Sequence, residues 1–254
     1  MESTKSRREK VSLDRNSSVP FFIQITETMK RRIVSGQYSP GRQLLTGEEL
    51  EKEFQTSNIT IRKAMEKLKK DGFVERRRGL GTTVSKIAPE PLGFELGGSF
   101  EKLKEAVKKL NTRLKVLEIT RTASSEYVQN LLSMAPDQDI WRLKRIRVFK
   151  EVPVSFYTYY ADPAYCADIS EKKAEEDDIV NTVEQAMGVK IAEVSRTLRS
   201  VVADLDISSV LEIPFGAPLF FSESTYHSTS GRAVFLSQSY FRGDMFVFRT
   251  SSPV

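Results

Sequence analysis

The chain of 254 residues carries 39% hydrophobic and 29% charged residues and a formal net charge of +5. That is enough apolar material for one large or two ordinary domains, and too much for a disordered chain. One cysteine, Cys166, and one histidine, His227, exclude an internal disulfide and a Cys/His metal cage, and leave any Ser-His-Asp or Cys-His mechanism to His227 alone. No run approaches the roughly 18 apolar residues of a membrane span. The opening stretch MESTKSRREK is charged and lacks an apolar signal core, so a soluble, cytoplasmic protein is expected.

The charge is divided unevenly. Residues 1–88 hold 19 Lys and Arg against 11 Asp and Glu, whereas the remainder holds 20 against 23. A basic head that meets a polyanion, joined to a body with another task, follows from that asymmetry. Between them, Pro89 and Pro91 interrupt helix and sheet pairing just before Gly93. The expected organisation is a basic arm and head over 1–85, a linker over 86–93 and a body over 94–254.

In the head, Phe22, Ile25, Met29 and Ile33 recur at helical spacing after Pro20 and stop at Gly36. Pro40-Gly41 makes a turn. Thr46 and Glu49 then have the spacing of a capping box opening a short helix that buries Leu50 and Phe54. Ser57 is the expected N-cap of a third helix with Ile61, Ala64, Met65 and Leu68 inward and Gly72 at its left-handed end. Asn58, Ile59, Thr60, Arg62 and Lys63 remain on its outer face. Phe73–Arg78 and Thr82–Val84 read as a two-strand ribbon about Gly79-Leu80-Gly81. A tight helix pair followed by an Arg-tipped hairpin suits duplex DNA, with the third helix in the major groove and the wing on phosphate.

The stretch from Pro20 to Ser85 resembles the winged helix-turn-helix of the GntR family of bacterial transcription regulators. The resemblance is carried by Pro20–Ile25, Ile33–Gly36, Pro40-Gly41, Glu49-Leu50, Ile61–Ala64 and Gly72–Thr82. It departs where DNA is read. Leu45-Thr46-Gly47-Glu48 stands for the family's Pro-Ser-Glu-Arg, and Ser57-Asn58-Ile59-Thr60 for its Ser-Arg-Thr-Thr. The resemblance implies DNA contacts from Thr46, Ser57, Asn58, Thr60, Arg62, Lys63, Arg76, Arg77, Arg78 and Gly79. Asn58, Thr60 and Arg62 would touch bases. The wing arginines, with Lys5, Arg7, Arg8 and Lys10, would touch phosphate. Since arginine suits guanine and asparagine adenine, an operator richer in A·T than the family's common one is expected.

In the body, Phe100, Leu103, Val107 and Leu110 mark an amphipathic helix opening at Ser99. Strands are expected at about 112–122, 140–149, 152–160, 190–202, 218–228 and 233–241, with helices near 124–133, 178–187 and 206–212. That order argues for an antiparallel α+β domain. Val128–Asp162 and Val210–Asp244 also echo each other in the succession helix end, turn, strand, hairpin, strand. The strand Ile140–Phe149 is the most informative. Its alternation sets Arg145 and Arg147 on the same face as Trp141 and Phe149. If that face is the core, the two guanidinium groups need anions. Internal carboxylates or an anionic ligand would each serve.

Residues 93–250 resemble the UTRA effector-binding domain of the HutC branch, which shares its fold with chorismate lyase. The likeness rests on Ser99-Phe100, Trp141–Arg147, Val152-Pro153-Val154, Gly216–Leu219 and Tyr240–Asp244. It implies a chorismate-lyase-like antiparallel-sheet α/β domain that also dimerises. In relatives that sense amino-sugar phosphates, the paired arginines and the Ser-Phe helix start hold phosphate. By position, Tyr157 and Phe235 replace two sugar-binding glutamates of those relatives. The expected effector site is therefore Ser99, Phe100, Arg145, Arg147, Tyr157 and Phe235. Its expected ligand is a small anion with an apolar remainder, a carboxylic acid rather than a sugar phosphate.

Other residues weigh little. His227 reads as a surface strand residue, Cys166 lacks the basic neighbourhood of a reactive thiol, and Glu175–Asp178 fits a solvated helix N-terminus better than a metal loop. No cofactor, metal or catalytic residue is expected. The whole reads as a ligand-responsive repressor, a homodimer on a pseudo-palindromic double-stranded operator with no membrane partner. Two alternatives are an enzyme of chorismate-lyase-like fold and a DNA-binding protein without ligand control.

Overall fold

The computed structural model describes residues 12–77, 81–85, 92–95, 111–136, 138–166, 168–176 and 178–250. The chain divides into two compact units, Met1–Glu90 and Pro91–Val254.

In the first unit, helices α1 (Phe21–Val34), α2 (Gly47–Phe54) and α3 (Asn58–Lys70) precede an antiparallel hairpin of β1 (Val74–Arg77) and β2 (Gly81–Val84). Ile25, Met29 and Ile33 of α1 meet Leu50 and Phe54 of α2, Ile61, Ala64 and Leu68 of α3, and Val74 and Val84 of the hairpin in one core. Each large member contributes about 1.5–3 kcal/mol by leaving water. Arg32 is buried in this core yet satisfied, pairing with Glu53 at 2.6 Å and lying over the Phe54 ring. Gly72 takes φ +79°, and the Phe73 amide returns to the Leu68 carbonyl at 3.0 Å. A glycine tolerates that left-handed helix end at no steric cost.

The second unit is built on a six-stranded antiparallel sheet. Its strands are β4 (Arg113–Ala123), β5 (Asp139–Phe149), β6 (Val152–Ala161), β7 (Ile191–Val202), β8 (Pro218–Ser228) and β9 (Ala233–Arg242), in the order β4-β5-β6-β9-β8-β7. One element order occurs twice. β4, helix α4 (Glu126–Leu132), β5 and β6 form one half, and β7, helix α8 (Leu205–Leu211), β8 and β9 the other. The halves agree in detail. Ser125 and Asp204 cap the two helices through their side chains, and Ser133 and Glu212 end them in the left-handed conformation. The halves join at β6 and β9, and each helix packs on the other half's inner strand, α4 on β9 and α8 on β6.

On the helix-bearing face, Ile146, Val148 and Phe156 pack with Ile207 and Leu211, and Ile140 and Leu236 with Val128 and Leu132. The opposite face carries Trp141, Leu143, Tyr157, Tyr159 and Phe235. They are covered by α5 (Pro163–Cys166), α6 (Glu171–Ala174) and α7 (Ile179–Met187). Leu92 and Gly93, expected in the linker, instead open strand β3 (Leu92–Glu95), which pairs in parallel with β10 (Phe246–Arg249). Leu92 is buried there, so the apolar side chain is held in the body's core rather than in a solvated connection.

Candidate nucleic-acid interface and effector site

Four of the expected DNA residues, Thr46, Asn58, Arg62 and Arg76, line one groove of the head. A groove of about 680 Å³ between α3 and the hairpin is lined by Thr46, Gly47, Asn58, Arg62 and Arg76, together with Gln43 and Lys69. Ser57 and Lys63 are exposed near the start of α3, Thr60 is half-buried, and Ile59 is 68% exposed. Thr46 acts first as a cap: its hydroxyl oxygen accepts the Glu49 amide at 3.3 Å while its own amide donates to Glu49 Oε2 at 2.8 Å. Ser57 has the backbone of an N-cap, but its hydroxyl lies 3.1 Å from Thr60 Oγ1 instead of bonding a first-turn amide. Arg77 is drawn to Glu75 at 2.7 Å, and among the described wing residues Arg76 is the arginine that lines the groove. The amide of Asn58 donates to Glu51 Oε1 at 2.6 Å. Arg78, Gly79, Lys5, Arg7, Arg8 and Lys10 lie outside the described residues. Exposed amide, hydroxyl and guanidinium groups at the start of one helix, beside an arginine-bearing wing, can read base edges and hold phosphate.

In the body, Arg145 and Arg147 are 2% and 3% exposed and lie on the core face as the alternation requires. Arg145 donates from Nη1 to the carbonyls of Ala174 and Glu176, both at 2.8 Å, and from Nη2 to the Tyr159 hydroxyl at 3.0 Å. All three acceptors are neutral oxygens. Among the described residues, the buried Nε of Arg145 has no acceptor. Arg147 donates from Nη1 to Thr112 Oγ1 at 2.7 Å and from Nε to the Tyr157 hydroxyl at 3.3 Å, with further contacts besides. Both guanidinium groups lie within 5.9 Å of the Tyr157 ring centroid, and Arg145 is 4.8 Å from that of Tyr159, distances at which an aromatic face attracts a cation. Burial pushes the Tyr159 phenol up to about 12, against the opposing pull of Arg145. It therefore keeps its proton at neutral pH while accepting from Arg145, and can donate to an anion.

Tyr157 is held by Ser155 at 2.8 Å. Phe235 has no exposed surface and stacks on Tyr159 at 5.5 Å, so it backs the site from within the core. Ser99 and Phe100 lie outside the described residues. Beside Tyr157 and Tyr159, the register sets Ser239 and Ser237 on β9 and, across from them, Ser222 and Ser224 on β8. All four are buried, and Arg196 donates to Ser224 at 3.0 Å. The sequence reading missed this hydroxyl patch. The two Ser-x-Ser alternations were its signal, but only the strand register brings them together.

The remaining candidates are structural. Cys166 is buried, and burial, with Asp162 adding to it, pushes its thiol up to about 12, so it is not a thiolate nucleophile. His227 Nδ1 lies 3.3 Å from the Gly231 carbonyl oxygen at the hairpin end. Asp178 caps α7 by accepting the Asn181 amide at 3.1 Å. Among the described residues no group of three or more His, Cys, Asp or Glu could hold a metal, and no helix is long and apolar enough to cross a membrane.

Comparison with known proteins places both units. The UTRA domain model matches residues 108–247, more than half of the chain, and the model of bacterial regulatory proteins of the gntR family matches residues 23–84. The HTH-type transcriptional repressor NagR of Bacillus subtilis (strain 168) is 24% identical over 238 residues, covering 94% of this chain and 97% of its own. The mannosyl-D-glycerate transport/metabolism system repressor MngR of Escherichia coli (strain K12) is 24% identical over 229 residues, covering 90% and 94%. Among solved structures, PhnF of Mycobacterium smegmatis shares the fold at a TM-score of 0.58 and 19% identity, over 91% of this chain and 99% of that one. YydK of Bacillus subtilis does so at 0.56 and 20%, over 92% and 100%. The relatives are regulators by name, which sets the chain in a non-enzymatic family. The body belongs to the UTRA domain family and the head matches bacterial regulatory proteins of the gntR family, so the chain is a ligand-responsive, DNA-binding transcriptional regulator.

Proposed function

We propose that the protein is a repressor of the HutC branch, dimeric through its bodies, whose hold on a pseudo-palindromic operator changes when a small anionic effector binds beside Arg145 and Arg147. The observation that carries this reading is the environment of Arg145. A buried guanidinium with only neutral acceptors among the described residues, and one N–H with none there, is stabilised by an anion that enters beside it. No carboxylate among the described residues pairs with Arg145, which favours the ligand over the internal salt bridge. The protonated Tyr159 hydroxyl and the serine patch supply further bonds to the ligand's oxygens. A carboxylate gripped by the arginine's Nε edge fits this set. The effector acts only as far as it prefers one arrangement of the dimer over another.

The test is a thermal-shift screen of the full chain and of Arg145→Met against small carboxylic acids and glucosamine-6-phosphate. An acid at a hundred times its Kd should raise the wild-type Tm by about 5 °C or more and leave the variant unmoved. Stabilisation by the sugar phosphate alone, or equal shifts in both proteins, would contradict the carboxylate reading. Light scattering of the same samples checks the dimer.

A further inference from the structure

The Asn58 side chain is the residue of α3 best suited to adenine, and it is not alone. Glu51 lies on α2, one turn before the helix ends, and its Oε1 accepts the Asn58 Nδ2–H at 2.6 Å. The contact crosses the turn between the two helices. A Cβ at Gly47 would lie 3.9 Å from Asn58 Nδ2, an ordinary van der Waals distance.

We propose that Glu51 is a positioning residue that sets which base Asn58 reads. A carboxylate can only accept, so it selects one of the two orientations of the asparagine amide and holds it with a charge-assisted bond. Fixed in that orientation, Asn58 presents Oδ1 as an acceptor and the second Nδ2–H as a donor. In the major groove, adenine offers the matching pair, the N6 donor and the N7 acceptor, and cytosine offers only its N4 donor. Guanine and thymine set O6 and O4 against Oδ1. A free asparagine could turn over and donate to either. Glu51 therefore narrows the choice to adenine first and cytosine second, and its charge lowers affinity for every sequence through repulsion from phosphate. The inference rests on the reading of Asn58 as a base contact.

The experiment uses the full-length protein and the duplex that the wild type selects from random DNA. The four base pairs are placed in turn at the half-site position whose preference Asn58→Ala removes, and affinities are measured by competition anisotropy. Wild type should favour adenine over guanine by about tenfold or more. Glu51→Ala should reduce that ratio to about twofold with Tm unchanged and overall affinity raised, and Glu51→Gln, whose amide can donate to Oδ1 as readily as accept from Nδ2 and so no longer selects one orientation, should relax the preference as well. A Glu51→Ala or Glu51→Gln protein that discriminates like wild type overturns the role of Glu51 alone. If Asn58→Ala removes no base preference at any position, the base-contact reading itself fails and this inference goes with it.

Discussion

The two units use arginine in opposite ways. Arg62 and Arg76 of the head stand in solvent along an open groove, whereas Arg145 and Arg147 of the body are almost wholly withdrawn from it. An exposed guanidinium costs little to hold and acts on a polyanion through a field that salt screens. A buried one is costly until every N–H is satisfied, is hardly screened, and responds to a single small anion. On the proposed function, one residue type thus serves a long charged partner in one unit and a compact one in the other, and burial makes the difference.

The largest expected effect lies on the buried side. Arg145→Ala strands two carbonyls and the Tyr159 hydroxyl, so urea unfolding of the body should show a loss of about 3 kcal/mol or more. Arg62→Ala should change stability by less than about 0.5 kcal/mol. A loss below about 1 kcal/mol for Arg145→Ala would remove the contrast.

Alkaline pH sharpens the same contrast. Burial pushes both the Tyr159 phenol and the Cys166 thiol up to about 12, from ordinary values of 10.0 and 9.0. The folded body favours their protonated forms, so their contribution is full below pH 9 and is lost as pH rises to about 12. At about 1.4 kcal/mol per pH unit, the loss is a few kcal/mol. In the head, burial lowers the Lys30 ammonium, but its bonds to Asp71 and Glu27 outweigh that and leave it raised above 10.5. Its contribution therefore begins to fade only above that pH. Trp141, the sole tryptophan, reports on the body. Its unfolding midpoint should fall from pH 9 upward, and Tyr159→Phe with Cys166→Ala should flatten the decline.

Smaller effects separate roles within the head. Arg62→Ala should cost about 1–3 kcal/mol of operator affinity and relax one base position. Arg76→Ala should weaken all sequences alike and reduce the salt slope by about 1. Arg77→Ala should do the same more weakly, because Glu75 already engages its charge. Smallest, Thr46→Ala should lower head stability by about 1 kcal/mol as a lost cap, with operator affinity intact once folded. A large affinity loss there would make Thr46 a direct DNA contact.

The head was legible in the sequence because its signals are local: helical spacing at Ile25, Met29 and Ile33, the Thr46–Glu49 box, and glycines at helix ends. The body's strands were legible by alternation, but their order was not, since β6 finds β9 some eighty residues away. The parallel pairing of β3 with β10 joins segments still further apart and has no sequence signature. Arg145 and Arg147 could be placed on the core face, yet the acceptors of Arg145 could not be foreseen, because the carbonyls of Ala174 and Glu176 leave no trace in side-chain type. The acidic run was read as a solvated helix N-terminus; Asp178 caps α7 there, while the backbone carbonyl of Glu176 holds Arg145. Glu51 escaped notice because its partner lies across a turn, out of phase with any single helix face.

The most direct test of the account is an unbiased selection of random duplex DNA on the purified full-length protein. The account predicts an enriched inverted repeat whose half-sites carry adenine opposite Asn58 and guanine opposite Arg62. Retention that responds to salt but not to sequence would contradict it, leaving the exposed arginines as a non-specific anchor and the buried pair as the place where the protein's specificity resides.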